Sequence, residues 1–75
     1  MMTLDLHGTT HDNVDRIVEN FVLMNDTPLT IITGLSGKMR KIVKKVLNRN
    51  DFIYDIPVHN NGLIKVIGDK VIPSN

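Results

Sequence analysis

Residues 29–48 read LTIITGLSGKMRKIVKKVLN, and the spacing of the apolar residues changes halfway through this stretch. Residues 29–33 are rich in β-branched side chains, which favours a strand. Gly34 and Gly37 interrupt that run. From residue 38 to residue 48 apolar residues recur every three or four positions, the spacing of a helix that buries one face. The expected core-facing residues of this helix are Met39, Ile42, Val43, Val46 and Leu47.

The sequence before this stretch predicts a second strand-helix pair. Residues 2–7 alternate between apolar and polar side chains, which indicates a half-buried strand, and Gly8 ends it. Thr10 is a suitable N-cap for a helix over residues 11–24. The apolar positions of that helix fall on one face, at Val14, Ile17, Val18, Phe21 and Val22.

The sequence after this stretch predicts two more strands. Residues 52–58 alternate as a strand does, and residues 63–67 form a second apolar run. Between them stand Asn60, Asn61 and Gly62, and an Asn-Gly pair favours a tight hairpin turn. We expect the last eight residues to fray after a short extension of strand pairing.

The element order β-α-β-α-β-β predicts an α/β fold, specifically an α+β two-layer sandwich. Helices between the first three strands imply parallel pairing among those strands, and the hairpin makes the fourth strand antiparallel. Right-handed crossovers place both helices on one face of a four-stranded mixed sheet. A chain of 75 residues is long enough for a single hydrophobic core, so residues 1–75 are expected to form one domain.

The composition narrows the class of protein. Hydrophobic residues make up 41% and charged residues 23%, which is ordinary for a soluble globular domain. No stretch is apolar over the roughly 18 residues that a membrane span requires. The N-terminus lacks the basic and apolar regions of a secretory signal, so we expect a cytoplasmic protein. With no cysteine, disulfides and thiolate metal sites are excluded.

The positive charge is concentrated in one segment. Six of the nine basic residues fall between residues 38 and 49, a segment without an acid, although the formal net charge of the chain is only +1. The rest of the chain carries three basic and eight acidic residues, a net charge of −5. A basic stripe on one helix is the usual footprint of phosphate contacts, so nucleic acid is the predicted partner.

The edge where parallel strands end is the predicted ligand site. His7 and Thr33 should both lie there, together with the N-terminus of the second helix, whose dipole and free N–H groups suit a phosphate. Glycines at this helix start would allow close approach of the backbone. The predicted phosphate-binding residues are Thr33, Gly34, Ser36, Gly37, Lys38, Arg40, Lys41 and Lys44.

Asp5 and His7 are the candidate catalytic residues. They stand two positions apart on one strand, so their side chains would point the same way at about 6 to 7 Å. An imidazole held by a carboxylate can take a proton from water or from a ribose 2′-OH that attacks a phosphodiester. The alternative is that both are polar residues on the exposed face of a strand.

Two motifs make the chain resemble the Smr domain, the small MutS-related module. The first is LDLHG at residues 4–8, followed by Thr10 and a helix. The second is IITGLSGKMRKIV at residues 31–43. The resemblance covers nearly the whole chain, and it implies nucleic-acid binding and endonuclease activity on DNA or RNA. It assigns the catalytic role to Asp5 and His7.

The second motif departs from its commonest form, which begins with His-Gly, because Thr33 stands before Gly34 here. A non-catalytic nucleic-acid-binding module is therefore the first alternative to an endonuclease. The second is a protein-interaction domain that docks an acidic surface on residues 38–49. We predict no cofactor; a divalent metal on Asp5, His7 and His11 is conceivable, but their spacing matches no recognised ligand pattern.

Overall fold

The computed structural model describes residues 2–69. Its elements are β1 Met2–Asp5, α1 His11–Met24, β2 Leu29–Ile32, α2 Gly37–Arg49, β3 Phe52–Asp55 and β4 Leu63–Asp69. The structure confirms the predicted α/β fold with its four-stranded mixed sheet and two helices. The first helix has the predicted bounds, and the second extends one residue further at each end.

The strand order is β1-β2-β4-β3, which differs from the predicted pairing. β1 and β2 are parallel, as expected, but β4 lies between β2 and β3 and runs antiparallel to both. The expectation that β2 and β3 pair directly is wrong. A helix is about 10 Å wide and strands lie about 4.8 Å apart, so the crossover through α2 leaves room for one strand between its ends.

One hydrophobic core lies between the sheet and both helices. β2 and β4 alternate, with Leu29 and Ile31 buried on the core face beside Ile64 and Val66. Helix residues fill the other side of the core: Val14, Val18, Val22, Met39, Val43, Val46 and Leu47. Both helices therefore pack on the same face of the sheet, and the opposite face stays open.

β1 ends in a tight turn that explains the glycine of the LDLHG motif. The N–H of Thr9 donates to the carbonyl of Leu6 at 2.9 Å, which closes a four-residue turn. Gly8 is the third residue of this turn and has φ +80°. A type II turn requires positive φ at that position, which costs glycine little. The strand is consequently shorter than predicted, and His7 lies in the turn.

The link between β3 and β4 is a loop, residues 56–62, in place of the predicted two-residue hairpin. Pro57 has no N–H to donate to a strand ladder, which explains why β3 stops at Asp55. A type I′ hairpin needs positive φ at both central residues, and the residues with positive φ within 2–69 are Gly8, Gly34 and Asp51.

β4 continues to Asp69, two residues beyond its predicted end, and pairs with β3 there. The predicted fraying concerns residues 68–75, of which 70–75 lie outside the described residues. Among residues 2–69, neither helix has the length and hydropathy needed to cross a membrane.

The turn geometry predicts that Gly8→Ala lowers the free energy of unfolding by about 1 kcal/mol, because an alanine side chain is strained at positive φ. Urea unfolding measures this change. Gly37→Ala is the matched control, since Gly37 opens α2 without a positive φ and an added Cβ would meet no atom closer than 4.0 Å. Equal stability of both variants would contradict the turn assignment.

Candidate functional site

The candidate site is the sheet edge at which β1 and β2 end and β4 begins. The parallel register pairs Asp5 with Ile32, so the chain leaves both strands at the same level. Three segments meet along this edge: the turn with His7, residues 33–36 leading into α2, and the loop of residues 56–62. We call this edge the rim.

Gly62 fastens two of these segments together. Its carbonyl oxygen accepts the N–H groups of Thr33 and Gly34, each at 2.9 Å. The hydroxyl of Thr33 donates to the same oxygen at 3.2 Å and to the carbonyl of Gly34 at 2.9 Å. Thr33 is only 4% exposed. The Thr33 hydroxyl, which the sequence predicted to bind phosphate, is thus hydrogen-bonded inside the fold. Thr33 therefore stabilises the rim from the interior.

Ser36 caps the first turn of α2. Its Oγ accepts the N–H of Met39 at 3.2 Å. The cap uses one of the four N–H groups that a helix start leaves without intrahelical partners. The N–H groups of Gly37 and Lys38 belong to the same exposed turn and lie at the positive end of the helix dipole. This helix start therefore offers exposed N–H groups of the kind that bind anions.

Arg40 joins the helix start to the loop of residues 56–62. Its Nη1 donates to the carbonyl oxygen of Asn61 at 2.9 Å. Its Nη2 lies beside Gly37, 4.0 Å from the position that a Cβ would occupy there. The guanidinium is therefore held at the rim and keeps donors that this contact does not use.

A basic groove runs from this helix start along α2. Its volume is about 550 Å³, and its lining residues are Gly37, Arg40, Lys41, Lys44 and Ile56. Lys41 and Lys44 are exposed, and Ile56 packs partly against the core. A second hollow of about 540 Å³ lies beside it along α2 and shares both lysines. The remaining residues of this second hollow are Lys38, Ile42, Lys45 and Asn48.

Arg49, the last basic residue of the segment, is neutralised by α1. Its Nη2 lies 2.8 Å from Asp15 and 2.9 Å from Glu19. The hydrogen bond from Arg49 lowers the pKa of Asp15, and hydrogen bonds from Asn50 and Arg49 lower the pKa of Glu19. The same contacts, first that with Asp15, raise the pKa of Arg49. The expected basic face therefore loses one of its six cations.

Asp5 contacts the main chain of His7. Its Oδ1 accepts the His7 N–H at 2.9 Å, a contact that fixes the start of the turn. The sequence predicted a contact with the imidazole. Both side chains are exposed, and the imidazole is presented at the rim. Asp5 is accordingly placed to position His7 through the backbone.

The strand order sets the separation between His7 and the basic groove. His7 follows β1, and Ile56 of the groove follows β3, with β2 and β4 between them. Three strand spacings amount to about 14 Å. The Ile56 side of the groove is therefore too far from the imidazole for one phosphate group to contact both.

His11 and His59 also lie near the rim, at the start of α1 and in the loop before β4. Within residues 2–69, no three His, Asp or Glu side chains are placed to hold a metal ion together. The sequence did not indicate three features of the site: the Gly62 junction, the Arg40–Asn61 contact and the pairing of Arg49. Each joins residues more than 20 positions apart, so no local sequence pattern predicts it.

Comparisons of the chain with protein-family models, with curated proteins and with solved structures found no match.

The Arg49 ion pairs predict a pH-dependent contribution to stability. Because the folded pKa values of Asp15 and Glu19 are lowered, their contribution is complete above the ordinary values of 3.8 and 4.5 and is lost as the pH falls through the folded values. The double variant Asp15→Asn/Glu19→Gln should be less stable than the parent at neutral pH, with the difference closing in acid. Thermal unfolding across pH measures it.

Salt provides the control for this prediction. All three side chains are substantially exposed, so high salt should shrink the difference at neutral pH. A stability difference of the same size at every pH and salt concentration would show that the variant acts through packing.

Proposed function

We propose that this chain binds nucleic acid through phosphate groups at the basic groove on α2. The observation that carries the proposal is the convergence of Arg40, Lys41 and Lys44 on one groove that begins at a helix N-terminus. Within residues 2–69 both ion pairs are made by Arg49. The other five cations of the segment thus keep their charges for a ligand.

The charge arrangement favours a polyanion over a small acidic ligand. Two adjacent hollows share Lys41 and Lys44, so cations line a surface that extends along α2 beyond a single pocket. A chain of phosphates can occupy several such positions, and each neutralised phosphate releases counterions. The resemblance of residues 31–43 to the second Smr motif supports the same surface.

We further propose that His7 transfers a proton during cleavage of a phosphodiester bond. The imidazole would remove a proton from the attacking water or 2′-OH as the new P–O bond forms, while the P–O bond to the leaving oxygen breaks and that oxygen takes a proton from solvent. His7 is exposed at the rim, in a turn held by Asp5. The resemblance of residues 4–8 to the first Smr motif supports this role.

Two other functions remain as alternatives. A binding module without cleavage would keep the groove and use His7 only as a surface residue, in line with Thr33 in the place of the motif histidine. A protein-interaction domain would dock an acidic surface on α2, with the surface smaller than expected because Arg49 is paired. For either nucleic-acid function we propose a cytoplasmic location.

Substitution of the groove lysines tests binding. Lys41→Ala and Lys44→Ala should each weaken binding to DNA and RNA, and each should reduce the slope of log K against log salt by about 0.7 to 0.9. Fluorescence anisotropy at several salt concentrations measures both quantities. Lys65→Ala is the matched control, because Lys65 is exposed on β4 and faces the open side of the sheet.

Absence of binding at low salt would reject both nucleic-acid functions and leave the protein-interaction domain. An equal loss in the Lys65→Ala control would show that general charge, and not the groove, determines binding.

Three substitutions at the end of β1 and in the turn after it test cleavage. His7→Ala should lower the rate of product formation by about 10²-fold or more, the usual contribution of a general acid or base. Asp5→Ala should also lower the rate, whereas Asp5→Asn should restore most of it, since an amide oxygen can still accept the His7 N–H. The assay uses labelled single-stranded and duplex DNA and RNA, with and without a chelator.

His59→Ala controls for loss of a histidine elsewhere at the rim. Binding without product from any substrate would assign the non-catalytic module. Cleavage that persists in His7→Ala would remove His7 from the mechanism.

A further inference from the structure

Two exposed aliphatic side chains stand at the rim beside the basic groove. Leu35 is 79% exposed and Val58 is 91% exposed. Each lies two residues from a residue that lines the groove, Leu35 from Gly37 and Val58 from Ile56. Exposed aliphatic residues are common singly, but these two occupy the tips of the two loops that border one charged site.

Both loops are held in place by the fold. The loop with Leu35 is fastened where Thr33 and Gly34 donate to the Gly62 carbonyl. The loop with Val58 is fastened at the same junction and again by the contact from Arg40 to Asn61. Within it, the N–H of Asn60 donates to the carbonyl of Pro57 at 3.2 Å, which places Val58 at the tip of a turn. The two side chains are therefore presented outward on anchored backbone.

We propose that Leu35 and Val58 contact unpaired bases, so that the preferred ligand of the basic groove is single-stranded nucleic acid. This inference rests on the proposed function. Cations along α2 would hold the phosphates, and the two loop tips would cover the apolar faces of bases next to them.

The distribution of aromatic residues decides which side chains could contact a base. Proteins that bind single strands usually stack bases on aromatic side chains. This chain has two phenylalanines and one tyrosine: Phe52 is buried in the core, and Phe21 and Tyr54 are partly buried and pack against it. The apolar surface that the rim offers to a base is consequently aliphatic.

The chemistry of the two side chains favours a single strand over a duplex. In a duplex the base faces are stacked, and the edges in the grooves present mainly hydrogen-bonding groups. Leu35 and Val58 have no polar side-chain atoms with which to contact those edges. An unpaired strand exposes the base faces, and burying them against aliphatic groups removes apolar surface from water.

The test compares two kinds of variant by their dependence on salt. Leu35→Ala and Val58→Ala should each weaken binding to a short labelled single strand by about 3- to 10-fold, the effect of losing part of one apolar contact. The salt slope should equal that of the parent, because no phosphate contact is lost. Binding to a duplex of the same length should be unchanged.

Met24→Ala is the matched control, since Met24 is 81% exposed at the far end of α1. It should bind as the parent does. All three positions are exposed, so the variants should keep the parent's circular dichroism and unfolding midpoint.

Three results would overturn the inference: unchanged single-strand affinity in Leu35→Ala and Val58→Ala, an equal loss for duplex, or a reduced salt slope. Binding of the parent to anionic phospholipid vesicles, lost in Leu35→Ala while single-strand binding is unchanged, would assign the tips to a lipid surface. If Lys41→Ala and Lys44→Ala also bind as the parent does, the proposed function fails; if only the aliphatic variants do, this inference alone fails.

Discussion

The site depends on the hydrogen bonds that the carbonyl oxygen of Gly62 accepts. This oxygen accepts two main-chain N–H groups and one hydroxyl, all from Thr33 and Gly34. This junction ties the end of β2, which leads into α2, to the loop that enters β4. The junction is possible only because β4 lies beside β2. The strand order therefore determines the geometry of the site. Thr33 is buried for the same reason.

Ion pairs between α1 and α2 determine which cations of residues 38–49 face solvent without being neutralised. Asp15 and Glu19 of α1 meet Arg49 at the last turn of α2. The other five cations lie on the first three turns of α2. Three of these five lie within the first five residues of the helix, near the positive end of its dipole.

Different segments of the rim present different chemical groups. The turn after β1 presents His7, the start of α2 presents N–H groups and Arg40, and the two loop tips present aliphatic side chains. The intervening strands β2 and β4 separate the imidazole from Ile56 on the far side of the groove. Contact with both the imidazole and Ile56 would require a ligand longer than one phosphate group.

The sequence by itself determined the type and order of the elements, because apolar periodicity and turn residues act over a few positions. It located the helices to within a residue and identified the segment with excess positive charge. It also singled out the LDLHG motif at residues 4–8, although the role of Gly8 became clear only from its positive φ.

The tertiary structure decided the strand order, the burial of Thr33, the loss of Arg49 from the basic face and the contact that Asp5 makes. The hydrogen bonds responsible for the Thr33 and Arg49 outcomes join residues 29 and 34 positions apart. The packing of the helices and strands determines which of these residues become partners. A local sequence pattern does not contain that information.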